Sequence, residues 1–198
     1  MEVLILIYNK YKVSRNLSWQ VIINERISEL PINVVKLCRS MGIAVKLYNP
    51  KDNNSGMTVT VNGAPVILVA ANEPRERQRF TIAHELGHIL LGHVGKYKLV
   101  NREPSESDNP IEQEANVFAS RLLAPACVLW GCNAKTAEDI MKLCDISRTA
   151  AESRQQRMDK LLARNKFLLH PLERQVYSQF ANYISNNNNL RTSNRLYL

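Results

Sequence analysis

Met57-Thr58-Val59-Thr60-Val61-Asn62-Gly63-Ala64-Pro65-Val66-Ile67-Leu68-Val69 decides the fold class. Two runs rich in β-branched residues flank Asn-Gly, the pair that most readily takes the positive φ values of a two-residue hairpin turn. The stretch therefore predicts two antiparallel strands. Just upstream, Ile43-Ala44-Val45-Lys46-Leu47-Tyr48 reads as another strand, bounded by Gly42 and by a polar loop from Lys51 to Gly56. Before that, Ser18 to Met41 alternates apolar and polar residues at helical spacing, with Leu30-Pro31 breaking it into two short helices.

Downstream, Pro74 is suited to a helix start, and Phe80, Ile82, Ala83, Leu86, Gly87 and Leu90 carry helical periodicity to about Leu91, with Gly92 as the stop. Asn101 to Pro110 is a polar, Pro-bounded loop, and Ile111 to Leu123 is a helix closed by Pro125. Thr136 to Cys144 and Arg148 to Ala163 form two more helices joined by Asp145-Ile146-Ser147, and a last one spans Leu172 to Ile184. From Asn186 onward the polar tail is expected to be disordered. Helices, a small antiparallel sheet, then helices again make an α+β fold.

The 198 residues suffice for one core or a core with a small satellite, and 45% hydrophobic with 22% charged residues is the balance of a soluble globular chain. The apolar run Val3 to Ile7 is short, follows the acidic Glu2 and leads to no small-residue cleavage site, so it does not read as an export signal. No stretch approaches the roughly 20 apolar residues of a membrane helix. The expected location is the cytoplasm. Cys38, Cys127, Cys132 and Cys144 form no Cys-x-x-Cys pair, and there they would stay reduced and pack as small hydrophobes. Arg148 to Leu198 holds nine Lys/Arg against three acids, so +6 of the +8 net charge lies there. Such a surface attracts nucleic acid or an acidic partner, or is simply a solvated helical face.

The chemistry sits in His84-Glu85-Leu86-Gly87-His88. Residues four apart on a helix share one face, so two imidazoles can meet one metal, and zinc accepts neutral imidazole. Glu85 projects beside that metal without binding it, where a carboxylate can take a proton from water and return it to a leaving amine. Two histidines hold zinc poorly, so a third ligand is needed. In Ile111-Glu112-Gln113-Glu114-Ala115-Asn116, Glu112 borders the apolar stripe and Glu114 points more outward, which makes Glu112 the expected ligand and Glu114 the fallback. Asn116, one turn after Glu112, can accept the other ring N–H of a ligating histidine. His93 reads as a surface or packing histidine, because Gly92 has ended the helix.

Arg79-Phe80-Thr81-Ile82-Ala83-His84-Glu85-Leu86-Gly87-His88-Ile89-Leu90-Leu91-Gly92-His93, then Glu112-x-Glu114-Ala115-Asn116-x-Phe118-Ala119 and Leu122-Leu123-Ala124-Pro125, resembles the ImmA/IrrE metallopeptidase family over about residues 15 to 165. The resemblance implies a zincin-like metallopeptidase domain in residues 1–130, a helical, helix-turn-helix-like extension in 131–165, and a C-terminal helix and tail in 166–198. It implies Zn2+ held by His84, His88 and Glu112, with Glu85 as the catalytic base. It also implies a narrow-specificity cytosolic endopeptidase whose protein substrate is a helix-turn-helix transcriptional repressor. Ala124 stands where that family often has Met, a change without chemical consequence.

Two other functions compete. The Thr136–Arg157 pair could bind DNA through Arg148, Arg154 and Arg157, although its second helix lacks at its N-terminal end the Asn/Gln/Arg cluster that base reading favours, so direct specific DNA binding is not expected. A non-proteolytic anti-repressor would need the metal only structurally, and then Glu85 would have no task. The oxyanion donor is not identified by the sequence; Tyr97 is a candidate.

Overall fold

The computed structural model describes residues 2–51, 54–94 and 109–188. In chain order the elements are α1 (Glu2–Asn24), α2 (Val34–Ser40), β1 (Ala44–Tyr48), β2 (Gly56–Val61), β3 (Ala64–Ala70), α3 (Arg75–Leu90), α4 (Pro110–Leu123), α5 (Ala126–Gly131), α6 (Ala137–Cys144), α7 (Arg148–Ala163), α8 (Pro171–Gln179) and α9 (Ala181–Asn188). Helices with one small sheet make the α+β fold that the hairpin predicts. No described helix is long and apolar enough to cross a membrane. Tyr97, most of the Asn101–Pro110 loop and the tail beyond Asn188 lie outside the described residues.

By their internal contacts the residues divide into two units, Met1–Ser18 with Asn33–Ser120, and Trp19–Ile32 with Arg121–Leu198. In the first unit, Asn62 (φ 51°) and Gly63 (φ 79°) both take left-handed backbone, so the two-residue turn forms as expected. It sets an antiparallel register from Val61↔Ala64 to Gly56↔Val69. β1 then pairs parallel with β3, Ala44 opposite Val66 through Tyr48 opposite Ala70, giving the order β1-β3-β2. The sheet is thus mixed where an antiparallel one was expected. β1 ends and β2 begins at the same end of β3, so the linking residues 49–55 need only span two strand spacings, about 10 Å.

Ile67 and Val69 alternate inward on β3 and are fully buried, and α3 covers that side with Ile82, Ala83 and Leu86. α2 starts at Asn33, whose side chain accepts from the Lys36 amide, and packs against α3 and β1. α1 is longer than expected, a continuous helix from Glu2 that includes the Val3–Ile7 run. Nothing between residues 2 and 24 is Gly or Pro, and an uninterrupted helix gains one hydrogen bond for each residue added.

In the second unit, α6 and α7 pack on each other. A capping box of Thr136 and Asp139 starts α6, left-handed Asp145 ends it, and Ser147 caps α7. The expected last helix is two helices, α8 and α9, parted at Phe180. Short α5 follows Pro125 and was not foreseen; its Leu129 joins Ile140, Cys144, Ala151, Val176 and Phe180 in this unit's core. Trp19 is buried, while Trp130 is partly exposed and stacks on Phe167 at 5.3 Å. All four cysteines are buried; burial pushes the thiols of Cys38 and Cys127 up to about 12 and that of Cys132 to about 11.

Candidate metal centre

On α3, His84 and His88 bring their Nε2 atoms to 2.9 Å from each other. Glu112 enters from the first turn of α4, with Oε2 at 3.1 Å from His84 Nε2 and Oε1 at 3.3 Å from His88 Nε2. The three ligand atoms lie within 4.8 Å of one another and could hold a metal ion. A tetrahedral zinc with bonds of about 2.0–2.1 Å spaces its ligand atoms about 3.3 Å apart, so the set fits with small adjustments.

What lets α4 come so near is Gly87. A Cβ built there would stand 2.9 Å from Phe118 Cδ1 and 3.3 Å from Ala115 Cα. Since Ala115 lies between Glu112 and Asn116, this close approach delivers both polar side chains to the histidines. Asn116 Oδ1 is 2.9 Å from His84 Nδ1. A carboxamide oxygen only accepts, so that nitrogen carries the proton and His84 Nε2 presents a lone pair. Facing the Glu112 carboxylate, two acceptors then converge on one point, as a cation site requires. Hydrogen bonds from His84 first and His88 second hold the Glu112 carboxyl well below the usual carboxylate range, against the upward pull of burial. When the imidazoles carry the proton, it occupies the place a cation takes.

Glu85 is 3% exposed and stays out of the ligand group. Its Oε2 accepts a 2.8 Å hydrogen bond from the Thr58 hydroxyl on β2. No motif in the sequence marks Thr58. Nor does any mark the surroundings of His93, whose Nδ1 lies 3.0 Å from His88 Nδ1 and whose Nε2 lies 3.4 Å from Glu114 Oε2. His93 is neither a surface residue nor mere packing. Burial, then the neighbouring His88, pulls it below the ordinary imidazole value, while Glu114 opposes that shift. Glu114, the fallback ligand, faces His93 and is absent from the converging group. One signal was available: a glycine just after a helix commonly turns the next residue back beside the last turn.

The chain is 33% identical over 92 residues to the metallopeptidase ImmA of Bacillus subtilis (strain 168), covering 46% of this chain and 53% of that protein. It is also 33% identical over 97 residues to the radiation response metalloprotease IrrE of Deinococcus deserti, covering 43% of this chain and 34% of that protein. A third relative, the radiation response metalloprotease IrrE of Deinococcus radiodurans, is 33% identical over 95 residues, 43% of this chain and 29% of its own. The chain thus matches about half of ImmA and about a third of the IrrE proteins. The model of one family, described as the IrrE N-terminal-like domain, matches residues 38–155, which contain the hairpin, both histidines, Glu85, Glu112 and Asn116. That span is more than half of the chain, and on it the protein belongs to the Peptidase_M78 family, the IrrE N-terminal-like domain.

Proposed function

We propose that this chain is a zinc-dependent endopeptidase that acts in the cytoplasm on a helix-turn-helix transcriptional repressor and relieves repression by cutting it. His84, His88 and Glu112 are the metal ligands in this reading, Asn116 orients His84, and Glu85 is the general base. One observation carries it: the buried carboxylate next in sequence to His84 is held by Thr58 and is not one of the three converging ligand groups. A purely structural metal needs no base beside its ligands. The names of the matched relatives, a metallopeptidase and two metalloproteases, support the same chemistry. The repressor as substrate rests on the likeness of the paired motifs to the ImmA/IrrE proteins.

Bound among these ligands, zinc supplies Lewis-acid polarisation of the scissile carbonyl and eases deprotonation of water. The chain's own part is proton transfer. Glu85 takes a proton as the water oxygen bonds to the carbonyl carbon, then gives it to the amide nitrogen as the C–N bond breaks. Thr58 keeps the carboxylate aimed at both positions, and Asn116 keeps the lone pair of His84 toward the metal.

The test is Glu85→Gln, which retains shape and leaves every ligand in place. Wild-type protein co-expressed with a cognate repressor should release discrete repressor fragments. The variant should still bind zinc yet cut more slowly by about 10²–10⁴-fold, the usual contribution of a general base. Full relief of repression by Glu85→Gln would overturn the reading, because inactivation by binding alone needs no base.

A further inference from the structure

We infer that His93 and Glu114 form an outer chain that fixes His88 in its metal-ligating tautomer, which makes His93 a positioning residue of the centre. The inference rests on the metal-site reading above and adds two residues to it.

The turn after α3 makes the chain possible. Gly92 takes φ 71°, its amide bonds to Ile89 O at 3.1 Å, and the His93 amide bonds to His88 O at 2.9 Å. This pair of bonds is a Schellman motif, which sets the second residue past the cap beside the third residue from the helix end. A hydrophobic contact usually joins those two positions. Here they are His93 and His88, and the contact is a 3.0 Å approach between ring nitrogens. Had the helix continued, residue 93 would project about 140° around the axis from His88 and could not reach it. The rings stand edge to face with centroids 5.1 Å apart.

Direction follows from the acceptors. Of two nitrogens in hydrogen-bond contact, one must donate. Glu114, an acceptor when ionised, lies 3.4 Å from His93 Nε2, so a neutral His93 places its proton on Nε2. His93 Nδ1 is then the acceptor and His88 Nδ1 the donor. That leaves the lone pair of His88 on Nε2, aimed at His84 Nε2 and Glu112. The reverse direction would point a lone pair of His93 at a carboxylate. The side chains of His93 and Glu114 are only 10% and 13% exposed, so water competes weakly for these bonds. His84 gains the same orientation from Asn116, and the two ligating histidines therefore have separate supports on α4, one direct and one through His93.

Zinc affinity measured by chelator competition, with the absorption spectrum of the Co2+-loaded protein, tests this. His93→Ala should weaken Zn2+ binding by about ten- to hundredfold, the usual effect of removing such a partner, and shift the Co2+ bands. His93→Gln, which keeps a carbonyl acceptor, should recover most of the affinity, and Glu114→Ala should lie between. The melting temperature of each metal-free variant separates this effect from general damage. Wild-type affinity in His93→Ala would overturn the inference, as would complete loss of metal with no rescue by Gln, since His93 would then be a ligand. His88→Ala tells the two readings apart: if that variant keeps zinc, the centre itself is misassigned, and if it loses zinc, only the outer chain is in question.

Discussion

The Thr58 hydroxyl donates a 2.8 Å hydrogen bond to Oε2 of Glu85, joining the edge of the sheet to the carboxylate that has no place among the ligands. Thr58→Val keeps the shape of the side chain and removes only this bond. A hydrogen bond to a charged group is worth about 1.5–3 kcal/mol, so the turnover number should fall at least about tenfold while zinc content is unchanged. Thr58→Ser should restore it. A fully active Thr58→Val would show that the contact is incidental.

Gly87→Ala should harm fold and metal site together. The added methyl meets Phe118 Cδ1 at 2.9 Å and Ala115 Cα at 3.3 Å, and neither buried residue has room to retreat. Overpacking of this kind costs about 1–3 kcal/mol. Thermal melts should show the loss without zinc, and chelator competition should show weaker binding, because the displaced helix carries Glu112 and Asn116. Unchanged zinc affinity would mean that the helices adjust without moving the ligands.

Acid should remove the contribution of Glu112 in a defined direction. Its carboxyl is held below the usual range, chiefly by His84 and then His88. A depressed folded-state pKa gives stability that is present above the unfolded value of about 4.3 and is lost as pH falls through the folded value. Denaturant titrations of the metal-free protein should therefore find Glu112→Gln less stable than wild type at about pH 5, and the gap should narrow below about pH 4.3. A gap that widened below about pH 4.3 would contradict the sign.

DNA binding should be weak and strongly salt-dependent. Arg154, one of three arginines that could have met phosphates, is buried, and Arg148 is tied to Glu138 at 2.7 Å. What remains on α7 includes exposed Arg157 and Lys160 interleaved with Glu152 and Asp159. Gel shifts at physiological salt should show only diffuse binding that fades as salt rises, since phosphate contacts alone release counterions. Sequence-specific nanomolar binding would restore the regulator reading.

The parts of the fold that local chemistry dictates were legible. Asn62-Gly63 needed nothing beyond its own backbone preference to form the turn, and Ser147 placed the start of α7 at Arg148, where the sequence put it. The four-residue spacing put His84 and His88 on one face of α3, and the apolar stripe of α4 turned Glu112 rather than Glu114 toward the core, while the close approach of the two helices is set by packing at Gly87. What depended on distant partners was not legible. The parallel pairing of β1 is set by which edge of β3 remains for it, and periodicity carries no such information. Six-residue α5 is too short for a helical period to show. The place of His93 beside His88 was not legible because it depends on Glu114, 21 positions away, and on the left-handed turn at Gly92.

Helix α3 supplies two of the converging ligands and α4 the third, with Glu112 lying 24 positions beyond His88. An ion gripping both helices is a removable cross-link, absent from the unfolded chain. Free zinc at 1,000 times its dissociation constant would add about 4 kcal/mol to the stability of the folded protein, a large fraction of what a domain of this size possesses. On the proposed function, scarcity of zinc would then shorten the lifetime of the protein as well as silence it, and cellular zinc supply would govern how many copies persist to act.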